Sequence, residues 1–95
     1  MFVLHVELKV KPGLQQALEK TYREVFLPAI SRQPGFQAAH LLRPVEDGAD
    51  GYRLSLAFDQ QSLQQQWVAT DVHQQIWPQM ESQCVEFSAS GYNTV

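Results

Sequence analysis

Apolar and polar positions alternate with a period of two at the start of the chain: Phe2, Leu4, Val6, Leu8 and Val10 fall on one side, Val3, His5, Glu7 and Lys9 on the other. Successive side chains of a strand point to opposite faces, so this spacing predicts a strand with one wholly apolar face. Lys11-Pro12-Gly13 ends it, because proline removes a ladder donor and glycine permits the turn. The period then lengthens. Leu14, Ala17, Leu18, Thr21, Tyr22, Val25, Phe26, Ala29 and Ile30 recur at steps of three and four, the stripe of an amphipathic helix, with Glu19 and Arg23 paired on its wet side. Pro28 cannot donate to the carbonyl of Glu24, so the helix should kink or restart there, and Pro34-Gly35 should stop it.

Phe36, Ala38, His40 and Leu42 alternate with Gln37, Ala39, Leu41 and Arg43, which predicts a second strand with two largely nonpolar faces. The stretch from Pro44 to Gly51, with Glu46, Asp47, Gly48 and Asp50, has the chemistry of a turn between antiparallel strands. Tyr52, Leu54, Leu56 and Phe58 then face one way and Arg53, Ser55, Ala57 and Asp59 the other, and Asp59 or Ser62 can cap the helical segment that follows. Residues 81–95 read as a last strand, with Val85, Phe87 and Ala89 opposite Glu86, Ser88 and Ser90. The order strand, helix, strand, strand, helix, strand predicts an α+β domain over 1–95, the ferredoxin-like split βαββαβ arrangement with both helical segments on one face of an antiparallel sheet. The other sheet face, read as Val3, His5, Ala39, Leu41, Ser55 and Ala57, lacks the charge that a wetted surface carries. A monomer would expose an apolar patch of roughly several hundred Å², so a homodimer formed through the sheet face is expected.

The segment from Phe58 to Met80 holds both tryptophans. Leu63, Trp67, Thr70, His73, Trp77 and Met80 fall along one stripe of a helix or of two short consecutive helices. Such a stripe has two readings. It is core filler, or it roofs a pocket in which two indoles flank an imidazole that titrates near neutral pH. In the second reading Val6, Leu54 and Phe58 form the sheet wall and Tyr22 adds a further ring, while His40 reaches the same pocket from the face of Phe36 and Leu42.

Composition removes several functions. The chain has 95 residues, with 7 Lys and Arg against 10 Asp and Glu, a net charge of -3, and no basic run, which excludes nucleic acid and anionic membrane as partners. No apolar run reaches the roughly 18 residues that span a bilayer, so a cytoplasmic protein is expected. Cys84 is the sole cysteine, is expected to be a buried thiol, and allows no internal disulfide. His5, His40 and His73 lie far apart on different elements, without the paired spacing of a zinc site, and there is no G-x-S-x-G, glycine-rich phosphate loop or C-x-x-C.

Several of these features together resemble the antibiotic biosynthesis monooxygenase family: the element order, Pro12-Gly13, the run Leu27-Pro28-Ala29-Ile30 leading to Pro34-Gly35-Phe36, then Leu41-Leu42-Arg43, and the spacing of Trp67, His73 and Trp77-Pro78. The resemblance covers essentially the whole chain. It implies a dimeric α+β barrel with a pocket between sheet and helices in each subunit, and oxidation of phenolic or quinol-like aromatics by molecular oxygen without metal or flavin. Other members cleave haem or isomerise a phosphorylated signalling molecule. Leu54 and Phe58 stand where anthrone-oxidising members carry an asparagine and a tryptophan, and Val6 and Trp77 where haem-cleaving members carry an asparagine and a histidine. The resemblance therefore implies a cofactor-free monooxygenase in which His73 is the catalytic base and Trp67, Trp77, Phe58, Leu54, Tyr22 and Val6 hold a small aromatic ligand. A non-catalytic dimeric binding module is the alternative, and a histidine-dependent isomerase a third reading, for which Arg43 and Arg53 are the nearest cationic anchors but read as pointing away from the helix side.

Overall fold

The alternating strands assemble into one antiparallel sheet in the order β2-β3-β1-β4, where β1 is Phe2–Val10, β2 Phe36–Leu42, β3 Gly51–Phe58 and β4 Cys84–Asn93. The computed structural model describes residues 1–95. The helical layer consists of α1 (Gln15–Thr21), a π turn (Tyr22–Phe26), α2 (Leu27–Ile30), α3 (Gln61–Val68) and α4 (Asp71–Glu81). This is the expected ferredoxin-like α+β fold. The core lies between the layers, where Val6, Leu8, Val10, Tyr52, Leu54, Leu56 and Phe58 of the sheet meet Leu18, Tyr22, Phe26, Ile30, Trp67, Ile76 and Met80 of the helices. No helix is long and apolar enough to cross a membrane.

The first helical run is regular at its ends and widened in the middle. Leu18, Tyr22, Phe26 and Ile30 are all buried, a strict four-residue period that an α-helix of 3.6 residues per turn would carry steadily off the core. The π turn compensates, closing with the bond from the Leu27 N–H to the Tyr22 carbonyl. Pro28, in the first turn of α2, follows directly, so the restart predicted from proline takes the form of a local widening of a continuous helix.

The register of β2 overturns one expectation. A bulge between Phe36 and Ala38 shifts the pairing, so that Ala39 lies opposite Leu56 and Leu41 opposite Leu54, on the helix side, while Ala38, His40 and Leu42 lie opposite Ala57, Ser55 and Arg53 on the open face. Ala39 and Leu41 thus pack against the core and are not open-face residues. His40 is exposed and cannot reach a pocket beneath the helices. The open face now consists of Val3, His5, Ala38, His40, Leu42, Ser55, Ala57, Ser90 and Tyr92, with charge confined to one end, where Glu7 pairs with Arg53 at 2.6 Å beside Lys9 and Glu86.

Two further expectations are corrected. Neither Asp59 nor Ser62 caps α3: Gln60 holds the N-cap position without a side-chain bond, and Asp59 instead accepts from the Gln37 amide. Arg43 reaches the helix side, contrary to its alternation. It leaves the end of β2 and grips Glu19 of α1 in a bidentate pair, and Tyr52 donates its hydroxyl to the same carboxylate at 2.6 Å.

Candidate active site

Thr70 builds the corner on which the site depends. Its hydroxyl donates to the Trp67 carbonyl at 2.7 Å, ending α3, and accepts from the His73 backbone N–H at 3.1 Å, starting α4. One side chain thereby fixes Trp67 of α3 against the first turn of α4. His73 and Trp77 follow at i and i+4, which stacks them on one side of α4.

The rings meet as the sequence spacing requires. His73 sits edge-on to Trp67 with centroids 5.1 Å apart and lies nearly parallel to Trp77, at 6.2 Å and 14°. Phe26 from the π turn touches both indoles, at 6.2 Å from Trp67 and 6.4 Å from Trp77, and Tyr22 stacks on Phe26 at 5.9 Å. Phe87 of β4 meets Trp77 edge-on at 5.3 Å. The sequence reading does not single out Phe26 or Phe87 for the site. The i, i+4 relation of Phe26 to Tyr22 is the available signal for the first, and the apolar alternation Val85, Phe87, Ala89 for the second.

Burial sorts the candidate residues into two groups. Leu54, Phe58 and Trp67 are 0–1% exposed, and Val6 and Tyr22 are also buried, all within the packed core. His73 and Trp77 are half-buried, so theirs are the ring surfaces that a ligand meets from outside. The structure thus brings all seven together as one aromatic and aliphatic cluster, with two members at its edge. Four surface hollows, of about 1110, 790, 650 and 300 Å³, are lined by other residues, except that the smallest touches Tyr22.

The chemistry resides in His73. Its Nδ1 is buried without a hydrogen-bond partner. Burial lowers its pKa from the ordinary 6.5, because the charged imidazolium is poorly solvated there, so the ring is neutral at pH 7. A buried N–H without an acceptor is rarer than a buried bare acceptor, which places the proton on Nε2 and a free lone pair on Nδ1. That lone pair is an unused base within an aromatic enclosure. Arg43 is held by Glu19 and Arg53 by Glu7, so neither is free to anchor an anionic substrate beside His73. No three His, Cys, Asp or Glu side chains are grouped to hold a metal ion. Cys84 is buried, its Sγ 3.5 Å from the Met80 carbonyl, and burial raises its thiol pKa.

Solved structures of similar shape bear on this arrangement. A candidate antibiotic biosynthesis monooxygenase from Nitrosomonas europaea superposes with a TM-score of 0.85 at 19% identity, over 100% of this chain and 99% of the other. SnoaB, a cofactor-independent oxygenase from Streptomyces nogalater, superposes with a TM-score of 0.87 at 13% identity, over 99% of this chain and 92% of its own. A conserved protein from Methanosarcina mazei gives 0.85 at 13%, over 99% and 92%. At these identities the likeness is one of fold. No curated protein matches the sequence. The family model for antibiotic biosynthesis monooxygenase, however, matches residues 1–78, which take in every element up to the middle of α4 together with Trp67, His73 and Trp77. The chain belongs to the antibiotic biosynthesis monooxygenase family.

Proposed function

We propose that the protein is a cofactor-independent oxygenase that takes a planar phenol- or quinol-like aromatic and works as a homodimer. The observation that carries the reading is the unpartnered Nδ1 of His73 between two indoles. A phenolic O–H supplies the missing hydrogen bond, and the neutral imidazole takes its proton. The resulting electron-rich anion gives one electron to dioxygen, and the radical pair recombines as a peroxide anion that takes the proton back from the His73 imidazolium to become a hydroperoxide. Loss of water at a methylene carbon then leaves a carbonyl, so that one methylene group and one dioxygen molecule become one carbonyl group and one water molecule without an external reductant. Trp77 offers the flat contact surface, while Trp67, Phe58, Leu54, Tyr22 and Val6 back the two rings and hold their geometry. Family membership supports this reaction class, as does the shared fold of SnoaB.

The homodimer follows from the open sheet face. Around His5, Ser55 and His40 it is small, apolar or aromatic, with the His5 ring 5.3 Å from Tyr92 and Leu42 exposed, and a second copy of the same face is its natural cover. Leu54 and Phe58 favour a second reading. Neither side chain carries a polar atom to hold a substrate oxygen opposite His73, which suits a dimeric module that binds an aromatic without turning it over.

Oxygen uptake with anthrone and quinol substrates separates the two readings. The oxygenase consumes oxygen, and His73→Ala abolishes uptake while ligand quenching of tryptophan fluorescence persists. Quenching in the parent protein with no uptake on any substrate identifies the binding module. In either case Trp77→Ala should weaken the ligand by about 1–3 kcal/mol through lost ring contact. An unchanged affinity, with only a lower Tm, would show the aromatic stripe to be core and the site misplaced.

A further inference from the structure

Strand β4 is left bare on the helix side: Cys84 is buried, and every residue after it is exposed. A sheet face next to a helical layer is normally covered, so the uncovered part marks where the site opens. Phe87 stands there, 44% exposed, with its ring edge against Trp77 at 5.3 Å and 82°. On its far side lies a hollow of about 650 Å³ bounded by Pro78, Glu81, Ser82, Val85, Glu86 and Phe87. All but Pro78 lie beyond residue 78, where the family match ends.

The geometry points to Phe87 as a specificity-determining residue that carries the ligand surface from Trp77 into the hollow between α4 and β4, favouring fused aromatic rings over single ones. The inference rests on the aromatic site proposed above. A single ring stacked on Trp77 leaves Phe87 unused, whereas a second fused ring reaches it and gains an edge-to-face contact.

Calorimetric titration of the full chain with phenol and 2-naphthol tests this. In the parent, 2-naphthol should bind about tenfold more tightly than phenol, the worth of one good aromatic contact. Phe87→Ala should bring that ratio close to one while leaving phenol unchanged, and Phe87→Leu, which keeps the bulk without the ring, should fall between. The inference is overturned if Phe87→Ala weakens both ring sizes equally or leaves the ratio intact, with phenol binding showing that the Trp77 site itself stands. If neither phenol nor 2-naphthol binds the parent, the Trp77 site fails and this extension with it.

Discussion

Replacing Glu19 with glutamine removes the acceptor that ties α1 to the end of β2. The bidentate bond from Arg43 contributes most, and the Tyr52 hydroxyl next, to holding the Glu19 carboxyl at about 2, down from 4.5. Converted directly, that depression corresponds to about 3 kcal/mol. The Arg43 side chain is 68% exposed, however, and solvent screens its share, which leaves about 1–2 kcal/mol. A carboxylate whose pKa is depressed in the folded state stabilises the fold above its unfolded value and loses that contribution as pH falls through the folded one. The window is therefore 4.5 down to about 2. Urea denaturation of parent and Glu19→Gln at one fixed protein concentration should show the variant less stable by that amount at pH 7, with a Tm lower by roughly 4–8 °C per kcal/mol. The gap should shrink steadily below pH 4.5. A gap that is absent at pH 7, or one that stays constant from pH 6 to pH 2, would refute the account, because the first means that the cluster stabilises nothing and the second that its effect is not electrostatic.

Other residues give sharper contrasts. His73 has a lowered pKa in the fold, so its burial destabilises progressively as pH falls below 6.5, while its competence as a base extends below that value; the low-pH limb of kcat/KM should therefore lie under 6.5, and a limb above it would contradict a buried base. On β2 the bulge separates neighbours: Leu42→Asp should convert the proposed dimer to a folded monomer of half the mass by light scattering, whereas Leu41→Asp should lower stability by several kcal/mol through a charge in the core. The opposite pattern would restore the uninterrupted alternation of β2. A Cβ at Gly91 would lie 2.9 Å from the ring of Phe2, so Gly91→Ala should cost about 1–3 kcal/mol in denaturation, and a neutral result would mean that the Phe2 ring moves aside without cost.

The strands β1 and β3 and the first helical stripe are legible in the sequence because one face of each is unambiguous: a slip of one residue in β1 would bury Glu7 and Lys9. Strand β2 offers no such penalty. Ala38, Ala39, Leu41 and Leu42 are nonpolar on both sides, so its alternation fits either register, and the pairing with β3 chooses the bulged one. The i, i+4 step from His73 to Trp77 is readable, as is Trp67 nearby, but the contacts of Phe26 and Phe87 join residues far apart in sequence. Arg43 follows from the same bulge, since it lies two residues after Leu41 and shares the helix side that the shifted register gives to Leu41. Partition of the cluster into buried and reachable rings depends on how far α4 extends over β4, which no local pattern encodes.

The π turn sets limits on how this chain can vary. Loops between strands tolerate added or lost residues because their ends need only meet, but the run from Gln15 to Ile30 counts residues. Adding a residue between Tyr22 and Phe26, where the π turn already absorbs one, would rotate everything beyond it by about 100°. Phe26 would then swing away from both indoles and Ile30 out of the core, so a single-codon insertion in this helix would be selected against far more strongly than a longer one between Pro44 and Asp50.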